Sequence, residues 1–202
     1  MTQSVCPYCR SAHEVSAIAG INTSEAPALK EKVRDGSLFI ARCPSCGKTY
    51  LLDYPFLYHD PDLKVMIWLQ GSGNEGADAL KALGAAASSL DGYILRTVSS
   101  PGALIEKINI FETGLDDRAM ELCKWVCSQE MEKEVQGMRF VRLEGADNEI
   151  VFSFALGSRM MSAKAGFNVY EDCRAILSRR GAGEGEDGFV SVDEGWVLEN
   201  FR

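Results

Sequence analysis

The spacing of hydrophobic positions changes along the chain, and the changes mark its parts. Short apolar or alternating runs come first. Ser37-Leu-Phe-Ile-Ala-Arg42, Thr49 to Leu52 and Leu63 to Leu69 predict strands, and residues 1 to 15 hold a short polar strand. Between them, Glu25 to Arg34 is rich in helix formers, with Ser24 as the expected N-cap and Asp35-Gly36 as the stop. Residues 54 to 61, Tyr-Pro-Phe-Leu-Tyr-His-Asp-Pro, are dense in aromatics and predict a turn packed beside the strands.

Gly, Ala and Ser then dominate residues 71 to 92, a flexible linker or one short helix over Ala77 to Leu83. This is the expected boundary between portions 1–70 and 93–202. Beyond it, Tyr93 to Val98 predicts a strand. Ser100-Pro101 opens a helix whose Leu104, Ile105, Ile108 and Phe111 share one face. Thr113-Gly-Leu-Asp116 resembles a capping box for a second helix, with Leu115, Ala119, Leu122 and Val126 as its buried stripe. Met138 to Leu143 and Glu149 to Leu156 predict a hairpin across Gly145 to Asn148. Further helices are expected over Val169 to Ser178 and Asp193 to Phe201, and the Met160-Met161 pair reads as helix or loop packing. The acidic Gly181 to Gly188 segment reads as a solvated loop; it lacks the Lys-Ser/Thr of a phosphate loop.

Composition narrows the class. The 202 residues are 46% hydrophobic and 25% charged, the balance of an ordinary globular protein. A formal net charge of −8 speaks against nucleic acid. Residues 1 to 62 hold six basic residues (Arg10, Lys30, Lys32, Arg34, Arg42, Lys48) against seven acidic ones, so no local basic patch offsets it. The longest apolar run, Val65 to Leu69, is far short of a membrane span. The opening Met1 to Cys6 has neither a basic nor an apolar stretch, so no signal peptide is expected and the cytoplasm is the expected compartment.

In that compartment thiols stay reduced, so the distribution of the seven cysteines is informative. Four lie in two C-P-x-C pairs, Cys6-Pro-Tyr-Cys9 and Cys43-Pro-Ser-Cys46, with thirty-three residues between them. A two-residue gap lets both sulfurs of a pair point at one ion, and four thiolates close a tetrahedral site. Cys6, Cys9, Cys43 and Cys46 are therefore expected to bind one structural zinc. The spacing exceeds that of the common ribbons, and one helix and one strand inserted between the knuckles would fill it. Iron, held as in rubredoxin, satisfies the same spacing. A dithiol redox site is the other rival, but it needs a preceding strand and a helix starting at the first cysteine.

The paired motifs, then Tyr54 to Asp60 and Lys64-Val-Met-Ile-Trp-Leu69, resemble the bacterial CpXC family. Leu104 to Glu112 followed by Gly114-Leu-Asp-Asp-Arg118 is similar to that family's second half. The resemblance covers roughly residues 5 to 128. It implies a metal-ligand role for the same four cysteines and brings no established activity. Gly47 follows the second pair, whereas Arg10 follows the first.

Other residues invite chemistry but have simpler roles. His59-Asp60 and His13 lack a nucleophile partner in local sequence. Cys123 and Cys127, four apart on one helix face, are read with Cys173 as core residues. Asp116 and Asp117 suit a helix start. The resulting expectation is an α+β protein: an N-terminal four-cysteine zinc ribbon with a small antiparallel sheet, followed by a mixed helix and strand portion. Its expected role is a non-catalytic zinc module that mediates protein contacts or regulation, with a protein partner and no nucleic acid or membrane. The rivals are an enzyme with its site in residues 91 to 202 and redox chemistry at the cysteines. A cleft grouping Asp116, Asp117, Glu106 or His59 favours the enzyme; an apolar surface over residues 54 to 69 favours the module.

Overall fold

Two small hairpins carry the cysteine pairs. In the first, β1 (Thr2–Val5) and β2 (Ala12–Val15) pair antiparallel around Cys6 to Ser11. In the second, β4 (Ile40–Arg42) and β5 (Thr49–Leu51) pair antiparallel around Cys43 to Lys48. The computed structural model describes residues 2–72, 76–87, 91–131, 135–146, 148–183 and 188–201. The chain divides into two compact units, Met1–Ile105 and Glu106–Arg202. Helices and strands mix in both, as the α+β reading requires.

Between the hairpins run β3 (Gly20–Asn22) and α1 (Pro27–Arg34). The cap of α1 is Ala26 rather than Ser24. Pro27 occupies the first turn, and its ring drives the preceding residue out of the helical region, to φ −133° and ψ 61° at Ala26. Residues 37 to 42 do not form one strand. The Asp35 carboxylate accepts from Ser37 N–H at 2.8 Å, and a 3-10 turn over Ser37–Phe39 precedes β4.

The first unit's main sheet has the order β3-β6-β7-β8, with β6 at Phe56–Asp60, β7 at Val65–Leu69 and β8 at Ile94–Val98. The expected aromatic turn over 54 to 61 is therefore the strand β6. Phe56, Tyr58 and Asp60 point into the interior and alternate with Leu57 and His59. Every residue of β7 is buried, so it reads as an unbroken apolar run rather than an alternating one. Gly20 opens β3 where a Cβ would lie 2.6 Å from the Leu57 carbonyl oxygen.

Two of the sheet's three pairings, β3 with β6 and β7 with β8, are parallel. Parallel neighbours need a crossover. For β7 and β8 the Gly/Ala/Ser-rich segment supplies it, as α2 (Ala77–Ala87). For β3 and β6 the crossover consists of α1 and the second cysteine hairpin. The wide gap between the knuckles thus holds more than one helix and one strand: it carries β2, β3, α1, the 3-10 turn and β4.

The second unit begins within α3 (Pro101–Glu112), whose Ser100 hydroxyl accepts from Ala103 N–H at 3.2 Å. α4 (Asp117–Gln129) starts at Asp116, which caps it by accepting from Arg118 N–H at 2.9 Å. Thr113 is not part of a capping box; its hydroxyl donates back to the Asn109 and Ile110 carbonyls of α3. Three strands form a meander in the order β11-β10-β9: β9 (Gln136–Glu144), β10 (Glu149–Leu156) and β11 (Arg159–Gly166). Met160 and Met161 lie on β11 and are exposed, which corrects the helix or loop reading. α5 (Phe167–Arg180) and α6 (Glu194–Phe201) complete the unit. Its core gathers Met120, Phe140, Ile150, Phe152, Leu177 and Trp196. The expected loop from Gly181 to Gly188 lies partly outside the described residues. Among the described residues no helix is long and apolar enough to cross a membrane.

Candidate metal centre

The two knuckles have the same backbone. Cys6 N–H donates to Ser11 O at 3.0 Å and Arg10 N–H to Cys6 O at 2.9 Å. In the second, Cys43 N–H donates to Lys48 O and Gly47 N–H to Cys43 O, both at 2.9 Å. The residue that closes each turn is left-handed: Arg10 at φ 60° and Gly47 at φ 72°. Glycine adopts that conformation freely, and an arginine does so at a cost.

The turns bring the four sulfurs together. Cys9 Sγ and Cys43 Sγ are 3.6 Å apart, Cys6 Sγ and Cys46 Sγ 3.7 Å, and all four lie within 4.8 Å of one another. Four thiolates about 2.3 Å from a tetrahedral ion have neighbouring sulfurs about 3.8 Å apart. The donor set and its spacing fit such an ion. Cys6 and Cys43 are buried while Cys9 and Cys46 are exposed, so each pair contributes one inner and one outer sulfur. Among the described residues this is the one group of three or more His, Cys, Asp or Glu with ligand atoms so close.

Protons are unevenly held in the cluster. Burial raises the Cys43 thiol, but the Cys46 and Ser45 backbone N–H groups and the neighbouring thiols outweigh it and bring it to about 6. At Cys9 the Ser11 backbone lowers the thiol, while partial burial and the three other sulfurs push it up to about 12. Four crowded thiols do not all ionise unaided; a dication held by them would remove the obstacle.

Hydroxyl groups bind the hairpins to each other around the sulfurs. Ser4 and His13 are cross-strand partners in the first hairpin. Both reach the Tyr50 hydroxyl of β5, Ser4 Oγ at 2.8 Å and His13 Nε2 at 3.0 Å. His13 Nδ1 lies 3.4 Å from the Ser11 carbonyl, which can only accept. The Tyr50 hydroxyl thus joins Ser4 and His13, one from each strand of the first hairpin, to β5 of the second. A second tie, Ser11 Oγ to Ser45 Oγ at 2.8 Å, joins the two loops. These polar partners could not be found from local sequence, because Tyr50 lies 37 residues from His13.

The other candidates fall elsewhere. His59, on β6, contacts the Tyr93 hydroxyl at 3.2 Å. Glu106 and Asp117 belong to a buried ion network between α3 and α4: Lys107 Nζ sits 2.8 Å from Asp117 and 3.3 Å from Glu121, and Lys124 Nζ 2.7 Å from Glu106 and 2.8 Å from Glu121. Glu106 also accepts from Phe140 N–H at 2.8 Å. Asp116 pairs with Arg118 in addition to its capping role. Cys123, Cys127 and Cys173 meet in the second unit's core, where hydrogen bonds from Cys127 and Cys173, with burial, hold the Cys123 thiol far above its usual value.

The chain is thus an α+β protein whose paired knuckles bring together four thiols that could hold a metal ion. The chain belongs to the CpXC family: the family model, described as CpXC protein, matches residues 5–124, a stretch containing both knuckles. Comparisons with curated proteins and with solved structures found no match.

Proposed function

We propose that this protein is a non-catalytic zinc module of the cytoplasm, which contacts a protein partner through the outer surface of its cysteine hairpins. The observation that carries the reading is the tetrahedral spacing of the four sulfurs, 3.6 and 3.7 Å across the two measured pairs. All four ligand positions come from the protein, which leaves none for water or substrate and makes the ion structural. Cysteine thiolates favour zinc among the common divalent ions, and the seven cysteines are free, in keeping with a reducing compartment.

The support for a partner has moved from where the sequence suggested it. Residues 54 to 69 are mostly interior, with Phe56, Tyr58 and all of β7 buried. The exposed large apolar residues near the metal centre are instead Val5 (61%), Tyr8 (58%), Ile40 (49%) and Leu51 (65%). Ile40 and Leu51 face each other across β4 and β5, so they form one apolar pair on the outer side of the second hairpin. Such a pair on a module with little core of its own supports protein contact. The carboxylates of the rival enzyme reading are engaged: Glu106 and Asp117 by lysines, Asp116 by Arg118.

The test is a photo-crosslinking amino acid at Leu51 in the full chain in cells, with and without Ile40→Asp. A discrete crosslinked protein that disappears in the variant, while zinc content stays at one per chain, is the expected result. Crosslinking indifferent to Ile40→Asp would remove the contact reading, and metal-free protein would remove the zinc reading.

A further inference from the structure

The two knuckle loops carry three exposed cations. Arg10 closes the first turn, Arg42 leads into the second and Lys48 leaves it. Among the described residues none of the three is paired with a carboxylate. Residues 2–15 and 40–51 hold one acidic side chain against them, Glu14, which lies three positions past Ser11 and about 10 Å along β2 from the loop. Two of the cations are held by their neighbours. Arg42 Nε donates to the Gly47 carbonyl at 3.1 Å, which turns the guanidinium over its own knuckle and leaves both Nη groups without a partner among the described residues. Lys48 Nζ lies 4.7 Å from the ring centroid of Tyr8, an exposed residue of the other knuckle. The third is held at a cost. Arg10 sits at φ 60°, where the matching position of the second knuckle is Gly47, and strain of this kind clusters at sites that bind.

Ile40 and Arg42 alternate with Ala41 and so share one face of β4, about 7 Å apart along the strand, with Leu51 and Thr49 opposite them on β5. The exposed apolar pair of the second hairpin thus continues into the cations of its loop. We infer that this face docks an acidic segment of a partner protein, with an aliphatic side chain on Ile40 and Leu51 and flanking carboxylates on Arg42, Lys48 and Arg10. The inference rests on the reading that the hairpins contact a protein, and it adds the chemistry of that partner. An unengaged guanidinium fork takes a carboxylate through two parallel hydrogen bonds. A phosphate backbone would suit the cations but leave the apolar pair unused, and the formal net charge of −8 opposes a long polyanion. A dication among four thiolates leaves the metal centre itself negative. Cations that served only to offset that charge would weaken zinc retention when removed, whereas docking residues would not.

The experiment selects a random phage-displayed peptide library on the zinc-loaded full chain and measures the most enriched peptide by fluorescence anisotropy. Enriched sequences should carry Asp or Glu within a few residues of an aliphatic side chain. Arg42→Gln should weaken the peptide about tenfold, and added potassium chloride should weaken it more for the wild type than for that variant. Arg10→Gly should weaken binding severalfold while Tm holds or rises, which separates docking from folding; Lys48→Gln serves if Arg42→Gln folds poorly. Zinc content should be unchanged in all of them. Neutral or basic enriched sequences, or no enrichment, overturn the proposal. So do unchanged affinity in these variants, zinc loss that parallels the loss of binding, and displacement of the peptide by a comparable concentration of oligothymidylate. A partner captured through Leu51 whose crosslink survives Arg10→Gly and Arg42→Gln would keep the contact reading and overturn this one.

Discussion

The Sγ atoms of Cys9 and Cys43 lie 3.6 Å apart, although each sits on its own hairpin and residues 10–42 separate them. That distance is too long for a disulfide, near 2.05 Å, and close to the edge of a thiolate tetrahedron. The hairpins β1/β2 and β4/β5 are each two strands wide, too small to hold together by apolar burial alone. Around the sulfurs the buried cluster, among the described residues, is Cys6, Cys43, Tyr50 and Leu52. In the proposed reading, an ion shared by both hairpins would act as this region's core.

Replacing Cys43 with Ser should release the ion and disorder both hairpins while leaving the second unit folded, because metal affinity in such a site is folding energy. Amide exchange in residues 2–15 and 40–51 should rise to near-unfolded rates. Stoichiometric metal with unchanged exchange in that variant would sink the four-ligand assignment.

The two turn-closing residues predict opposite mutational effects. Gly47→Ala places a side chain at φ 72°, where its Cβ would meet Arg42 Nη2 at an ordinary 3.8 Å but the backbone is strained, and should cost about 1 kcal/mol. Arg10→Gly relieves the same conformation at φ 60° and should be neutral or stabilising by up to about 1 kcal/mol. Urea denaturation of the zinc-loaded forms measures both.

Lys107 is buried between Asp117 and Glu121. Lys107→Met removes the cation and leaves both carboxylates buried, so unfolding free energy should fall by about 3–5 kcal/mol. The zinc content should not change, since the ligands lie in the other unit. A loss below about 1 kcal/mol would mean that water reaches the network.

Asp60 gives a pH signature. Its carboxylate is buried, which raises its proton affinity, but Lys30 at 2.9 Å, Leu63 N–H and the Tyr58 hydroxyl outweigh this and hold it below its usual 3.8. The folded protein thus binds this proton more weakly than the unfolded chain. The resulting stability is present above about pH 3.8 and is lost as pH falls through the lower folded value. Asp60→Asn should lower Tm at pH 7 and flatten the acid limb of the Tm profile relative to wild type.

The knuckles were legible because a two-residue gap is a local constraint, and so was α3, whose Ser100 cap and apolar spacing lie within a few residues. β6 was hidden by its flanks: Pro55 and Pro61 and a run of aromatics suggested a turn, although Phe56, Tyr58 and Asp60 keep a period of two. β11 shows no clean alternation, because it is an edge strand exposed along most of its length, and β3 is only three residues long. The Tyr50 bridge and the Lys107 network depend on partners brought together by folding. Nothing beside Lys107 or Lys124 in sequence marks either as interior.

Metal content by mass spectrometry on tag-free protein, with thiols titrated before and after chelation, tests the central claim most directly. The account predicts one zinc per chain and four thiols that become reactive only once the ion is removed. Protein without metal, or with iron in place of zinc, would contradict it and return the cysteine pairs to redox chemistry.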